Sequence, residues 1–312
     1  LVRYPLMLEG GTNLRTWLRV PKTIPGGMIF VAGGKFICGN NEAAAAAGSG
    51  SEVSLDAFYI KKYEVTFREY LEFWRTLSGK ERELYRGRRL APDRTSVNLL
   101  EDDGGILPPY TEKLPVVGIT REAAEAFCRW RSRMTGARYR LPTVPEWEKA
   151  ARGPDGRSFV WGNHIIYDAA LNGASDSALL ARYPVGAPPG SFPADFSLYG
   201  VCDMEGNVRE FTADSSKSGM LPLIKGASRF TGPDFLYCWR NSFEIMYLND
   251  VGFRYVMEAE ASERQMPVAD GTALSDADLP VSDLLSKSLD MKSLLPLPAG
   301  GKTEEEWLGG PK

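Results

Sequence analysis

Capping patterns and one glycine stop define where this sequence can form helices. Thr66 and Thr143 each precede a glutamate by three residues. In that pattern the threonine hydroxyl accepts from the glutamate's backbone N–H, and the carboxylate accepts from the threonine's backbone N–H. Both patterns therefore predict the first turn of a helix. A third helix is predicted from Thr120 to Gly136, because apolar residues recur there at helical spacing between an N-cap threonine and a terminating glycine.

Short apolar runs separated by glycine and proline predict strands in the rest of the chain. Residues 28–38 predict a hairpin around Gly33-Gly34, and residues 53–60 predict a single strand. Residues 79–115 are rich in Arg, Asp and Pro with little periodicity, which indicates a long excursion over the surface. Helices beside several short strands predict an α+β fold that is loop-rich, with few regular elements.

Changes in composition divide the chain into three parts. Residues 1–23 predict a β-hairpin extension or linker, residues 24–258 one folded domain, and residues 259–312 an irregular tail rich in Ser, Asp, Leu and Pro. The first residue is Leu instead of Met, which is typical of a fragment or a processed product.

Charge and cysteine usage exclude several classes of partner. The 37 basic and 40 acidic residues nearly balance, so we expect no nucleic-acid partner. No run approaches the roughly 20 apolar residues that span a bilayer, so we expect no membrane segment. The four cysteines lie far apart without a CxxC pair, which favours reduced thiols and a cytoplasmic location.

A series of short motifs runs through about three quarters of the chain. They are Gly33-Gly-Lys-Phe36, Phe58-Tyr-Ile-Lys-Lys-Tyr-Glu-Val-Thr66, Arg140-Leu-Pro-Thr-Val-Pro-Glu-Trp-Glu-Lys-Ala-Ala-Arg152, Gly206-Asn-Val-Arg-Glu-Phe211, Lys225-Gly-Ala-Ser228 and Gly252-Phe-Arg254. In this order they resemble the formylglycine-generating-enzyme-like (sulfatase-modifying factor) domain, which has a C-type-lectin-like fold. The sequence looks most like the copy found C-terminal to bacterial serine/threonine protein kinases. No kinase motif occurs in these residues.

The resemblance also shows which catalytic groups are missing. Formylglycine-generating relatives hold copper with two cysteines, and soft thiolates suit Cu(I). Thr231 and Leu236 stand where those cysteines would fall, and Cys238 is a single thiol nearby. Related sulfoxide synthases hold iron with several histidines, whereas His164 is the only histidine here. We therefore expect no copper, no iron and no catalytic residue.

Calcium is the cofactor that the resemblance leaves open. Oxygen ligands suit this hard cation, and loop-rich folds use it as a staple. The family pattern implies one structural site at Asp203, the carbonyls of Gly206 and Val208, and Glu210. A second would use Asn172, the Gly173 carbonyl and Asp176. The alternative is that these carboxylates cap helices or turns.

The segment 228–247 is the candidate contact surface, because it is rich in aromatic residues, Asn and Arg. Aromatic packing within the domain is the alternative. Arg254 and Arg240 resemble family arginines that are largely structural, which predicts hydrogen bonds to carboxylates or carbonyls. The candidate ligand-binding residues are Ser228, Arg229, Thr231, Tyr237, Trp239, Arg240 and Asn241.

Three functional hypotheses follow. The preferred one is a non-catalytic sensory or regulatory module of a bacterial signalling protein, in the C-terminal region of a serine/threonine kinase, which binds a protein or small molecule through the 228–247 surface. The second is an oxidoreductase of the formylglycine-generating type that acts on protein cysteine. The third is a retroelement-diversified receptor of the same fold, although such segments usually end the chain soon after Gly-Phe-Arg.

Overall fold

Both predicted capping boxes are confirmed in the computed structural model. Thr66 caps helix α1 (Phe67–Trp74) and Thr143 caps helix α4 (Val144–Arg152), and in each case the side chain and backbone of the two box residues bond reciprocally. Each box fixes a first turn from residues only three apart, so the sequence specifies it locally. The described residues are 21–39, 50–91, 93, 95–232, 236–238, 240–242 and 249–260, and they all belong to one compact unit, Leu1–Val268.

The longest described helix is α3 (Arg121–Thr135). Thr120 accepts from the backbone N–H of Ala123 at its start, and Gly136 ends it in the left-handed region at φ 78°, as predicted. Two short helices, α2 (Gly79–Leu84) and α5 (Ser177–Arg182), lie in segments without a predicted element. None of the described helices combines the length and the apolar composition that a membrane-spanning helix needs.

The main sheet is antiparallel and has the strand order β1-β4-β11-β7. Its strands are β1 (Met28–Val31), β4 (Phe58–Lys61), β7 (Tyr139–Arg140) and β11 (Val256–Glu258). The sheet therefore joins strands that are far apart in sequence. It brings the C-terminal end of the described chain beside its N-terminal strands.

The hairpin predicted over residues 28–38 is wrong. β1 pairs with β4, whereas β2 (Gly34–Cys38) pairs with β3 (Ser51–Leu55) in a separate two-stranded ribbon. The predicted single strand over residues 53–60 is divided between β3 and β4. β4 is buried at all four positions and takes the central place beside β1, while β2 packs against α4.

A second sheet has the order β10-β8-β9. β8 (Arg209–Ser215) pairs parallel to β10 (Val251–Gly252) and antiparallel to β9 (Pro222–Lys225). This sheet carries the Gly-Asn-Val-x-Glu, Lys-Gly-Ala-Ser and Gly-Phe-Arg motifs side by side. The helices and sheets confirm the predicted α+β class.

The segment 79–115 is more than a surface excursion. It contains α2 and the ribbon of β5 (Arg88–Leu90) with β6 (Ser96–Asn98). Leu99 and Leu100 are fully buried in the main hydrophobic core. The sequence prediction missed this contribution, because two adjacent leucines do not establish a period.

Candidate functional site

The site is a corner at the end of β9, where the chain turns from the second sheet into residues 226–242. Gly226 adopts φ 78°, and a side chain there would meet the Met204 carbonyl at 3.2 Å. Glycine is required because the backbone is left-handed and closely approached. The turn brings Ser228 into the interior, where it is fully buried.

Ser228 and Arg209 share a buried carboxylate at this corner. The Ser228 hydroxyl donates to Asp250, and the Arg209 guanidinium donates to both Asp250 oxygens at 2.7 and 3.0 Å. All three residues are buried, so the charges of Arg209 and Asp250 compensate each other. The arrangement ties the corner to the strands β8 and β10. The polar groups of Ser228, Arg209 and Asp250 are therefore hydrogen-bonded to each other.

Thr231 closes the turn that follows Ser228. Its hydroxyl accepts from the Ser228 N–H at 2.8 Å and donates to the Ser228 carbonyl at 3.0 Å. The Thr231 carbonyl also accepts from the Gly173 N–H at 2.8 Å. Gly173 must be small, because a Cβ there would lie 2.6 Å from that carbonyl. Thr231 is therefore a structural residue of the turn.

Leu236 and Cys238 both point into the interior. Leu236 is 0% exposed and packs with Phe159, Ala170 and Ala227. Cys238 is also buried, and its thiol lies 2.6 Å from a Glu205 carboxylate oxygen. Burial and the adjacent Glu205 raise the pKa of Cys238 well above its ordinary value, which disfavours the reactive thiolate.

Arg254 lies beneath the corner and is completely enclosed. Its guanidinium makes three contacts with the Glu210 carboxylate, at 2.6, 2.8 and 2.9 Å. The same group donates to the carbonyls of Lys61, Lys62, Cys202 and Asp203. Although burial opposes its charge, Glu210 raises the pKa of Arg254 above its usual range. The predicted structural role of Arg254 is confirmed.

The first predicted calcium site surrounds this ion pair. The Glu210 oxygens contact Arg254, and one also accepts from the Trp147 indole at 2.9 Å. Asp203 accepts from the Gly190 N–H at 2.6 Å. Gly206 packs so closely on the Leu171 backbone that a Cβ would lie 2.7 Å from its carbonyl. Glu210 thus has an arginine as its counter-ion, and calcium bound by these residues and the Val208 carbonyl stays a prediction.

The residues of the second predicted calcium site hold the backbone of their own segment. The Asn172 amide accepts from Ala174 N–H at 2.9 Å and donates to two carbonyls. Asp176 caps α5 by accepting from the Ala178 N–H at 2.7 Å. In the part of the chain that the structure describes, no group of three or more His, Cys, Asp or Glu side chains could hold a metal ion. This second site also stays a prediction.

Sequence reasoning missed three buried carboxylates, of which Glu64 and Asp195 lie close enough to Arg254 to interact with its charge. Glu64, Asp195 and Glu205 are at most 1% exposed, and one oxygen each of Glu64 and Glu205 has no hydrogen-bond partner. Burial and the neighbouring Asp203 raise the pKa of Asp195 to about 8. Burial and the neighbouring Asp195 raise the pKa of Glu205. Each acid lies next to a glycine or an aromatic residue in an irregular segment, so no periodicity marks it as buried.

The predicted contact residues divide into buried and outward-facing groups. Ser228 and Thr231 serve the turn, Arg240 is half-buried, and Asn241 is exposed. Arg229 lies over the Phe230 ring and donates to the Leu180 carbonyl at 3.0 Å. Trp239 and residues 243–247 lie outside the described residues. The structure therefore brings only part of the predicted surface together.

Six exposed or half-buried apolar residues lie in the two segments beside the corner, and we call them together the aromatic surface. They are Trp161, Ile165, Ile166, Tyr167, Phe230 and Tyr237. Phe230 is 54% exposed and Ile166 51%. The Phe159 ring stacks on Trp161 and contacts Tyr237, with centroids 5.5 and 4.9 Å apart. The Asn172 amide donates to the Tyr167 carbonyl, and the Gly173 N–H donates to the Thr231 carbonyl. These two bonds connect the segment that carries Tyr167 to the turn that carries Thr231.

The fold matches solved structures that share little sequence with this chain. PvdO from Pseudomonas aeruginosa has a TM-score of 0.59 at 21% identity, covering 74% of this chain and 94% of PvdO. Treponema denticola variable protein 1 has a TM-score of 0.55 at 19% identity, covering 74% and 95%. These likenesses confirm the predicted C-type-lectin-like, formylglycine-generating-enzyme-like fold.

Curated relatives include proteins of different activities. The serine/threonine-protein kinase pkn1 of Chlamydia caviae is 28% identical over 60% of this chain, which spans only 27% of the kinase. The inactive C-alpha-formylglycine-generating enzyme 2 of Mus musculus is 28% identical, over 64% of this chain and 73% of that protein. Hercynine oxygenase of Mycolicibacterium smegmatis is 31% identical, over 73% and 55%. The sulfatase-modifying factor enzyme 1-like domain matches residues 17–259. The chain belongs to this domain family.

Proposed function

We propose that this domain is a non-catalytic binding module that contacts a partner protein through the aromatic surface. The observation that carries the proposal is the structural role of Thr231 and Leu236, the two residues at the positions of the copper-binding cysteines. The Thr231 hydroxyl closes a turn, and Leu236 packs in the hydrophobic core. Neither side chain offers the thiolate that the copper chemistry of formylglycine-generating relatives requires.

The remaining thiol does not supply an alternative nucleophile. Cys238 is buried, and its pKa is raised by burial and by Glu205. A catalytic cysteine needs the opposite environment, partly exposed and near positive charge, because the thiolate is the reactive form. These properties support a structural role for Cys238 as a buried thiol beside the corner.

The aromatic surface supports binding on physical grounds. Exposed aromatic and branched apolar side chains lose little conformational entropy on binding and bury large areas. Four of the seven large apolar residues that are exposed in the described structure belong to this surface, namely Ile165, Ile166, Tyr167 and Phe230. The corner behind them is held by buried hydrogen bonds, which presents the surface in a fixed geometry.

The relatives supply the context for the proposal. One is a protein kinase of which this domain spans about a quarter, and another is named inactive. We infer a regulatory or sensory role in a bacterial signalling protein, with any kinase activity in a different part of it. All four cysteines are free thiols, which supports a reducing, cytoplasmic compartment.

Peptide display against the purified domain tests the binding proposal. Peptides selected on the wild-type domain are expected to bind Phe230→Ala and Ile166→Ala at least about tenfold more weakly, because these side chains supply the apolar contact. Met220→Ala is the matched control, since Met220 is 80% exposed but lies in the turn before β9. Equal weakening by Met220→Ala would contradict a specific surface.

A turnover assay separates this proposal from the enzymatic alternative. The domain is incubated with Cu(I), oxygen and a cysteine-containing peptide, and formylglycine is measured by mass spectrometry. No product above the copper-only background is expected. Turnover that disappears in Cys238→Ser, with folding intact by circular dichroism, would replace the binding module with an oxidoreductase.

A further inference from the structure

A pocket of about 230 Å³ lies between α3, β7 and β8, away from the residues used so far. We call it the arginine pocket, and it is lined by Arg121, Glu125, Cys128, Arg129, Tyr139, Arg140, Leu141 and Ala213. Cys128, Tyr139 and Leu141 are buried and form an apolar floor. The rim carries three arginines and one glutamate.

Two of the rim arginines are fixed by contacts within the domain. Arg121 donates to the Ala213 carbonyl at 2.6 Å and to the Ser215 hydroxyl at 2.7 Å, which joins the start of α3 to β8. Arg140 holds both oxygens of Glu146 at 2.7 Å each. These charge-assisted hydrogen bonds hold the residues around the pocket in fixed positions, so the pocket is preformed.

Arg129 differs from the other two. Its side chain is 57% exposed, and its nearest acidic oxygen belongs to Glu125 at 3.9 Å. Glu125 is already shared with Arg121, whose Nε lies 3.0 Å away. One carboxylate therefore faces two guanidinium groups, which leaves a positive charge at the rim. An incoming carboxylate would compensate that charge.

The charge of the surrounding surface points in the same direction. Residues 121–140 contain six arginines and two glutamates, a net charge of 6 − 2 = +4, in a chain whose total is −3. Glu146 and Glu258 offset part of this charge through Arg140 and Arg138. After these two pairs, the segment 121–140 still has an excess of arginines over glutamates, in a protein whose net charge is negative. The nearly balanced charge of the whole chain conceals this local excess of arginine.

We propose that the arginine pocket binds an acidic peptide from a partner protein, with one apolar side chain on the floor and a carboxylate on Arg129. The volume suits a single side chain, and the basic rim is complementary to an acidic segment. A nucleic acid fits less well. Glutamates interrupt the row of arginines, and the Tyr139 ring is buried and edge-on to Tyr255, so it offers no face for stacking a base.

The experiment uses the full chain and a fluorescein-labelled hexapeptide of four glutamates followed by two leucines. Fluorescence anisotropy at 50 mM NaCl is expected to show saturable binding that weakens severalfold at 300 mM NaCl, because exposed charges are screened. Arg129→Glu is expected to weaken binding about tenfold or more through like-charge repulsion. Ala213→Leu, which fills the pocket without changing charge, is expected to weaken it by a similar factor.

Three controls decide between pocket binding and general electrostatic attraction. Lys217→Glu makes the same charge change at an exposed site in the β8–β9 turn, and it should leave the affinity unchanged. A peptide of four glutamates and two glycines should bind at least about fivefold more weakly, because it lacks the apolar anchor. Circular dichroism checks that each variant is folded.

Several outcomes would overturn the proposal. One is no saturable binding of the leucine peptide by the folded wild-type chain. Another is an equal loss of affinity in Lys217→Glu and Arg129→Glu, or unchanged affinity in Ala213→Leu. A fluorescein-labelled single-stranded dodecanucleotide that binds more tightly than the peptide, and that Arg129→Glu releases, would assign the face to nucleic acid instead. None of these results bears on the aromatic surface, which is tested separately.

Discussion

Two fully buried cations of this domain have opposite surroundings. Arg254, beneath the corner, contacts Glu210 three times and reaches four backbone carbonyls. Lys149, where α4 packs on β2, donates to the Gly34 carbonyl at 2.8 Å and has no acidic partner among its hydrogen bonds and ion pairs in the described residues. Glu210 raises the pKa of Arg254, whereas burial lowers the pKa of Lys149 to about 7.

The difference shows that burial alone does not decide what a charge contributes. The planar guanidinium of Arg254 matches a carboxylate and several carbonyls at once, so its desolvation is compensated. A lysine ammonium with one carbonyl is not compensated, and it favours the neutral form. The buried charge beneath the corner, that of Arg254, is therefore paired with a carboxylate. The buried charge where α4 packs on β2, that of Lys149, is unpaired and lowers the stability of the fold.

Breaking the paired cation should have the largest effect. Arg254→Met is expected to lower the free energy of unfolding by about 3 to 5 kcal/mol, because Glu210 would be left as an uncompensated buried carboxylate. Chemical denaturation at pH 7 measures the change. The double variant with Glu210→Gln should recover part of the loss. A double variant no more stable than Arg254→Met would show that the unpaired carboxylate is not the cause.

The local part of this architecture could be predicted from sequence, and the long-range part could not. The Thr66 and Thr143 caps depend on residues three positions away, so the chain specifies them directly. The Arg254 partner lies 44 residues away in Glu210, on a neighbouring strand. Its predicted hydrogen-bonding role is confirmed. The sequence did not identify Glu210 as its partner, because an acidic side chain suits an arginine as well as the calcium ion for which the family resemblance implies it.

The same limit explains the strand pairing that was predicted wrongly. Gly33-Gly34 is a valid local turn signal, but β1 pairs with β4, which follows about thirty residues later. Register is decided by which strands can bury their apolar faces together, and that depends on the whole sheet. The aromatic surface was found only in part for a related reason. Tyr167 is bonded to Asn172, and the next residue, Gly173, is bonded to Thr231, which lies about sixty residues later beside Phe230.

Removing the unpaired cation, Lys149, should change the free energy of unfolding by less than the Arg254 variant does, and in the opposite direction. Lys149→Met is expected to raise the free energy of unfolding by about 1 kcal/mol at pH 6, since an unpaired charge leaves the interior while the Gly34 carbonyl loses its donor. Below pH 7 both the folded and the unfolded lysine are protonated, so the full penalty is present. From about pH 7 to 10.5 only the unfolded lysine keeps its proton, so wild-type stability rises.

The advantage of Lys149→Met should therefore shrink between pH 7 and pH 10. Urea titrations at pH 6, 8 and 10 measure the trend. Lys80→Met, at an exposed position on α2, is the matched control and should show no such dependence. A destabilised Lys149→Met at pH 6 would mean that the Gly34 contact outweighs the desolvation of the ammonium, and the two buried cations would then be alike.

An exposed ion pair should give the smallest effect and separates pairing from burial. Arg138 lies 3.2 Å from Glu258, but its side chain is 76% exposed. Arg138→Met is expected to change the free energy of unfolding by less than about 0.5 kcal/mol, because Arg138 is largely solvated and Glu258 keeps Arg140 as a second partner at 3.7 Å. The small loss of stability that Arg138→Met does cause should decrease as NaCl is raised from 0.05 to 1 M, because salt screens the two charges. A loss above about 1 kcal/mol would show that pairing stabilises this domain without burial. Burial would then not be the property that distinguishes the Arg254 pair from a pair at the surface.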